Sequence, residues 1–445
     1  MPFISNTDKQ RQEMLNKIGY KSFQELLVDV IPKHLIHEQE LNIDDGLSEI
    51  EIRKKINKLA KLNTCTEDYI SFLGGGIYDH FVPAAVNHII NRPEFYSAYT
   101  PYQAEVSQGT LMYIYEYQTM ICELTGMEIA NASMYDCATA CAEALLMAIR
   151  QNKKENVLVS ELLHPAYRQV IKTYLHPLGI DIKLIPSIDG RTDVNRLQEM
   201  MTKDVGAVLV QTPNYFGNIE EMHKIDEIVH SVKKAMLIVA VDPISLMILN
   251  SPAEYNADIV IGEGQVLGNA QNLGGPLFGF FATKEKFARK MPGRIVGATI
   301  DVDDNKGYVL ILQAREQHIR REKATSNICT NESLCVLAAA VYISLLGKKG
   351  LLEVAEQSSI KAHYLYDKIS ALHNIKPAFD TPFFKEFVVK TDKNPDEIIS
   401  TMLKIGYFAG INLGKYGWQN HLLIAVTEKR TEQEIDKFIT AIKSI

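Results

Sequence analysis

Residues 258–284, DIVIGEGQVLGNAQNLGGPLFGFFATK, decide how the rest of the chain is read. An apolar run, Ile259–Ile261, enters a Gly-rich turn, and a second apolar run closes at Ala282. Short apolar runs bounded by glycine read as neighbouring buried strands. A nucleophilic amine just past such a strand is one route to covalent chemistry on an open α/β sheet. Here there is none: no lysine occurs from Ala235 to Thr283.

Working outward, NVLVS, IKLIP, GAVLVQ, MLIVAVD and DIVIG are β-like runs, separated by helical patterns such as DVNRLQEMMTK and EEMHKIDEIVHSVKKA. Apolar strands alternating with helices predict a mostly parallel sheet covered on both faces. Helices are expected at 107–125, ending at Gly126, at 136–151, and from Asn331 to about Leu346. The tail alternates FFKEFVVKT, DEIISTMLKIG, HLLIAVTE and TEQEIDKFITAIKSI, the pattern of a small α+β domain. Residues 1–65 read as an N-terminal helical arm, with capping boxes at Ser22/Glu25 and Ser48/Glu51. The expected division is therefore an arm at 1–65, a large α/β domain at 66–310, and a connecting segment with a small C-terminal domain at 311–445.

At 445 residues the chain exceeds what one core sustains. A formal net charge of −7 argues against non-specific nucleic-acid or membrane binding, and no apolar run approaches the roughly 20 residues of a membrane span. The N-terminus, MPFISNTDKQRQEML, is too polar for a targeting signal. Six scattered cysteines without a CxxC fit buried, reduced thiols in a cytoplasmic protein better than disulfides or a metal site.

Ligands of open α/β sheets sit beyond the carboxyl ends of the strands. Asp136, Cys137 and Thr139 open a helix whose free N–H groups suit an anion; the plain alternative is an Asp-capped buried helix. His164 stands where a ring would stack on a pyridine, or simply caps a helix. Asn214 stands where an amide would meet a phenolic oxygen, or turns the chain after proline. Asp242 stands where a carboxylate would keep a pyridine nitrogen protonated, or caps a loop before Pro243. Their order, more than any one of them, predicts a pyridoxal phosphate (PLP) dependent transferase type I scaffold with a doubly wound sheet. Without a lysine to form the Schiff base, this local pocket reads as degenerate and contributes no catalytic residue.

Three longer motifs carry a family resemblance: YTPYQAEVSQGTLMYIYEYQTMICELTGMEIANASMYD (99–136), GGPLFGFFATKEKFARKMPGRIVG (274–297) and LQAREQHIRREKATSNICTNESLCVLAAA (312–340). They resemble the glycine-cleavage P-protein, glycine dehydrogenase (decarboxylating), and more narrowly the alpha-type subunit of its two-chain bacterial form. The resemblance implies a beta-type partner that carries the lysine and covalent PLP, glycine as substrate, and the lipoyl arm of H-protein as acceptor. One departure stands out: the family usually has Gly after MYD, whereas Cys137 stands here and crowds an anion cup.

Two loops are the candidates to reach a partner's pocket. Tyr99, Tyr102 and Gln103, on a Pro-fixed loop, suit a small zwitterion; interface packing is the competing account. Thr325, Ser326 and Asn327, ahead of a helix, suit the phosphate of the partner's PLP, against simple helix capping. In the same loop Glu316 and Arg320 have the spacing of a helical ion pair. Two other readings stay open: a stand-alone PLP enzyme using an unusual lysine such as Lys284 or Lys286, and a purely structural partner subunit.

Overall fold

The computed structural model describes residues 5–37, 42–271 and 275–445, and elements are counted over those residues. The tip of the Gly-rich turn, residues 272–274, lies outside them. The chain divides into two compact units, residues 1–64 and 65–445.

The first unit holds α1 (Asp8–Lys17), α2 (Phe23–Val30) and α3 (Glu49–Ala60). Ser48 and Glu51 form the expected reciprocal box at the start of α3. At α2 only half of it forms. Ser22 Oγ accepts from Glu25 N at 3.2 Å, but the Glu25 carboxylate turns to Lys21 N at 2.7 Å. Ile50, Ile52, Ile56 and Leu59 are exposed, so α3 presents apolar surface.

In the second unit a seven-stranded sheet is built from β1 (Ile129–Ala130), β2 (Asn156–Ser160), β3 (Ile182–Ile185), β4 (Val205–Thr212), β5 (Met236–Val241), β6 (Ile259–Glu263) and β7 (Gly279–Thr283). Their order is β1-β7-β6-β5-β4-β2-β3. Strands β2 to β6 pair in parallel, and β7 runs antiparallel to both β6 and β1. Two-residue periodicity sorts the apolar side chains onto the two faces. Val208, Val210, Leu237, Val239, Val260 and Phe280 meet α4 (Gln108–Thr125) and α8 (Ser333–Ser370) in one core. Ala207, Leu209, Ile238, Ile259, Ile261 and Phe281 meet α5 (Cys137–Asn152) and α6 (Pro165–Leu175) in the other. Each phenylalanine so buried contributes roughly 1.5–3 kcal/mol. Helix α7 (Met222–His230) covers the first face between β4 and β5.

Gly126 ends α4 in the left-handed conformation, φ 71°. Helix α8 begins at Ser333 and runs past Leu346 to Ser370 across a break at Gly347, φ 56° and ψ −172°. It is the one helix among the described residues long and apolar enough to cross a membrane, yet Val336, Ala339 and Tyr342 are fully buried in the core.

A hairpin, β8 (Ile295–Ile300) with β9 (Lys306–Ile311), follows the large sheet. A four-stranded sheet comes last: β10 (Ile375–Pro377), β11 (Glu386–Thr391), β12 (Ile411–Asn412) and β13 (His421–Ala425), in the order β10-β11-β13-β12. It packs with α9 (Pro395–Lys404), α10 (Glu432–Lys443) and the end of α8 around Phe72, Leu365, Phe387 and Phe438. All six cysteines are free, but not all are buried as expected: Cys65 and Cys329 are exposed, Cys122 is half-buried, and Cys137, Cys141 and Cys335 are buried.

Candidate functional site

The four residues picked at strand ends do converge on one cleft, with Cys137, Asn214 and Asp242 lining a cavity of 40 Å³ and His164 behind its wall. That volume holds roughly one to three waters. Their side chains are already engaged. The N–H of Cys137, at the N-terminus of α5, donates to Glu263 Oε2 at 3.1 Å, so a carboxyl group of this chain occupies the anion position. Burial, with Asp136 nearby, pushes Glu263 up to about 8. Asp136 itself caps α5, accepting from Thr139 N at 2.7 Å.

His164 stacks on Tyr167, centroids 4.4 Å apart, and its Nδ1 accepts from Ala166 N while Nε2 donates to Gly75 O at 2.9 Å. Burial lowers it to about 4, so the ring is neutral at pH 7. It is a capping histidine, and a tyrosine takes its face. Asn214 Nδ2 donates to Gly190 O and Glu220 Oε1, both at 2.9 Å, and Oδ1 accepts from Phe216 N. The turn reading describes it fully.

Asp242 meets a residue the sequence reading passed over. Lys385, carried in just ahead of β11, places Nζ 2.6 Å from Asp242 Oδ2, 2.9 Å from His80 Nε2, and 3.8 Å from the centre of the Tyr78 ring. With lysine donating to Nε2, the His80 proton sits on Nδ1 and donates to Glu428 Oε2 at 2.6 Å. Burial alone would raise Glu428; the His80 contacts and the Phe81 N–H outweigh it and hold the carboxyl near 2. Beside Lys385, Glu386 accepts from Tyr78 OH at 2.8 Å and from Gly75 N at 2.6 Å. A charged pair, Lys385–Glu386, within the apolar run FFKEFVV was the available signal, because buried charges are found paired. Lys284, by contrast, binds Asp258 Oδ1 at 2.8 Å and Asn256 Oδ1 at 2.9 Å beside the start of β6, at the opposite end of the strand from Glu263.

The two long loops behave differently. Tyr99 is 83% exposed, Tyr102 52% exposed, and Gln103 is exposed. Thr100 and Tyr102 meet the second loop around Arg294, a buried residue of the second motif that the sequence reading does not single out. Arg294 Nη2 donates to Tyr102 OH at 3.0 Å, and Nη1 to Thr100 Oγ1 at 3.1 Å and Thr330 Oγ1 at 3.2 Å. Glu316 turns to Arg294, 3.7 Å away, and to His318, so the expected Glu316–Arg320 pair does not form; Arg320 donates to Ala314 O instead. Thr325 is half-buried, Asn327 is exposed, and Ser326 is buried with its hydroxyl accepting from Ile328 N at 3.0 Å. None of the three caps α8. Its cap position is Glu332, whose N–H donates to Ser133 Oγ at 2.9 Å.

A family model described as the glycine cleavage system P-protein matches residues 1–442. The chain belongs to the P-protein family. It is 51% identical over 441 residues to the probable glycine dehydrogenase (decarboxylating) subunit 1 of Carboxydothermus hydrogenoformans, covering 99% of this chain and 98% of that one. It is 50% identical to the protein of the same description from Chlorobium chlorochromatii, with both chains covered in full. A crystal structure of glycine decarboxylase (P-protein) in inhibitor-bound form superposes with a TM-score of 0.92 at 40% identity, covering 100% of both chains. A sphingosine-1-phosphate lyase, at 13% identity and a TM-score of 0.66, shares the fold alone, that of the type I PLP-dependent enzymes. Within the P-protein family the chain sides with the alpha type, subunit 1.

As a P-protein cleft, this one does not fit PLP. The N–H group of Cys137 that would meet a phosphate is taken by Glu263, and the carboxylate that a pyridine nitrogen requires is taken by Lys385.

Proposed function

We propose that this chain acts as the alpha subunit of a two-chain glycine dehydrogenase (decarboxylating), completing an active site whose covalent PLP and lysine belong to a beta-type partner. The pair would release the carboxyl of glycine as CO2 and pass the remaining aminomethyl group to the lipoyl arm of H-protein. The cofactor supplies the electron sink when bound. The contribution of this chain is to line and enclose the site. Tyr99, Tyr102 and Gln103 are assigned to the glycine end, and Thr325, Ser326 and Asn327 to the phosphate end, with Ser326 acting beside its existing bond to Ile328 N. The setting is the cytoplasm, where its small-molecule substrate is available.

The observation that carries this reading is the contrast within one family member. A scaffold alike to subunit 1 relatives over its full length has its own cleft filled by Glu263 and Lys385, while its aromatic loop stands exposed. The test is reconstitution. Neither purified subunit should catalyse glycine–CO2 exchange alone, and the mixture should. Borohydride reduction should label a lysine of the partner and none of this chain, Lys385 and Lys284 included. Full exchange by this chain alone, or a pyridoxyl-lysine within it, would overturn the assignment.

A further inference from the structure

Arg294 precedes β8, and its carbonyl accepts from Ala132 N at 2.8 Å, so its backbone is anchored next to the edge strand β1. Its side chain is 2% exposed. The planar guanidinium presents five N–H donors in a fixed fork, which a lysine cannot reproduce from one nitrogen. Those donors reach Thr100 and Tyr102 on one loop and Thr330 at the end of the other, and the guanidinium carbon lies 5.1 Å from the Tyr102 ring centre. Its Nε and Glu316 Oε2, both buried, form an ion pair too long for a hydrogen bond. Charge is balanced by Glu316, and direction is set by the two loops. His318 closes the seam, 3.5 Å from Glu316 and edge-on to Tyr102 at 6.4 Å.

We propose that Arg294 is a positioning residue that holds the Thr100–Tyr102 loop and the Gln313–Thr330 segment in one fixed relation, so that both serve a single pocket on the partner. This rests on the reading that the two loops line that pocket. Buried, with both terminal nitrogens committed, Arg294 acts on substrate and cofactor only through Tyr102 and Thr330. The coupling is what distinguishes it from the loop residues themselves: each loop residue governs one ligand, and Arg294 governs both.

The test uses the reconstituted two-subunit enzyme. Tyr102→Phe should raise the glycine KM with little change in PLP dissociation, and Thr325→Ala with Ser326→Ala should raise the PLP dissociation constant. Arg294→Lys keeps the charge opposite Glu316 and should raise both, each by roughly tenfold, the size of a lost charge-assisted hydrogen bond, with a smaller change in kcat. Should Arg294→Lys fail to fold by thermal denaturation of the isolated chain, Thr100→Val with Thr330→Val removes the two hydroxyl acceptors at constant shape and should move both quantities in the same direction. If the loop variants move their own quantity while the Arg294 and Thr100/Thr330 variants move neither, the positioning role is wrong and the loop reading stands. If no variant moves either quantity, the loop reading itself fails.

Discussion

Two regions of this chain share polar chemistry and differ in how it is finished. In the cleft, Asp242, Lys385, His80 and Glu428 form a continuous run of contacts from the large sheet to the small one. Glu263 is met by the N–H groups of Cys137, Gln265 and Phe278. Along the first loop Tyr99, Tyr102 and Val106 are exposed, and along the second Arg320, Arg321 and Lys323 are exposed. The lesson concerns where a fold keeps its ligand-facing groups. A pocket whose donors and acceptors are paired internally holds the protein together. A surface whose aromatic and cationic groups stand exposed is what remains to meet another molecule.

The comparison breaks first at Lys385. Replacing it with methionine leaves Asp242 half-enclosed without its cation, and removing one partner of a buried ion pair costs about 3 kcal/mol or more. Lys385→Met should therefore lower the denaturation midpoint of the isolated chain sharply, while adding Asp242→Asn should recover most of the loss. Costs that simply add in the double variant would mean the pair is not the lock described here.

How much of this was legible in the sequence follows the range of the interactions. The sheet was readable because its signal is local: Ile238 and Val239 face opposite cores through two-residue periodicity alone. The strand-end residues Cys137, His164 and Asn214 and the carboxylate Asp242 were readable because topology fixes where strand ends point. What fills the cleft was not readable. Lys385 comes from another sheet, and only folding brings it to Asp242. Arg294 sat in plain view within a motif, but its meaning depends on two loops meeting around it. Thr325–Asn327 do precede α8, whose cap at Glu332 lies one residue beyond the expected Asn331, but which ligand they face depends on a partner that this sequence does not contain.

The second break concerns the phosphate end of the loops. Thr325→Ala with Ser326→Ala should weaken PLP binding in the complex by about 1.5–3 kcal/mol, a tenfold loss or larger, if those hydroxyls meet a charged phosphate. Stability of the isolated chain provides the control. Ser326 also bears on Glu143, a carboxyl that burial pushes up to about 7 against the pull of Arg150. Loss of stability with PLP affinity unchanged would assign Ser326 to the core and withdraw both hydroxyls from the site.

The smallest expected effect, and the most specific to the cleft, is a dependence of folding on pH. Glu263 is raised from a carboxyl group's ordinary 4.5 to about 8, first by burial and then by Asp136. A group whose folded pKa lies above its unfolded one holds its proton longer in the folded state. Its contribution is fully present below the unfolded value and lost as pH rises through the folded one. Between about 4.5 and 8, then, the isolated chain should lose stability with rising pH, by at most roughly 1.4 kcal/mol per pH unit from this group. Glu386, raised to about 7 by burial, adds in the same direction but has largely finished titrating by pH 8. Glu428 works oppositely: held near 2, it contributes above its ordinary range and is lost only as the solution is acidified. The Glu263 share is isolated by Glu263→Gln, which cannot titrate. Urea denaturation at pH 7 and pH 8 should show a shallower fall for this variant than for the parent, by about 1 kcal/mol. Identical slopes would mean that Glu263 is ionised in the folded chain, and the carboxyl at the α5 N-terminus would then be a fixed anion in spite of its burial.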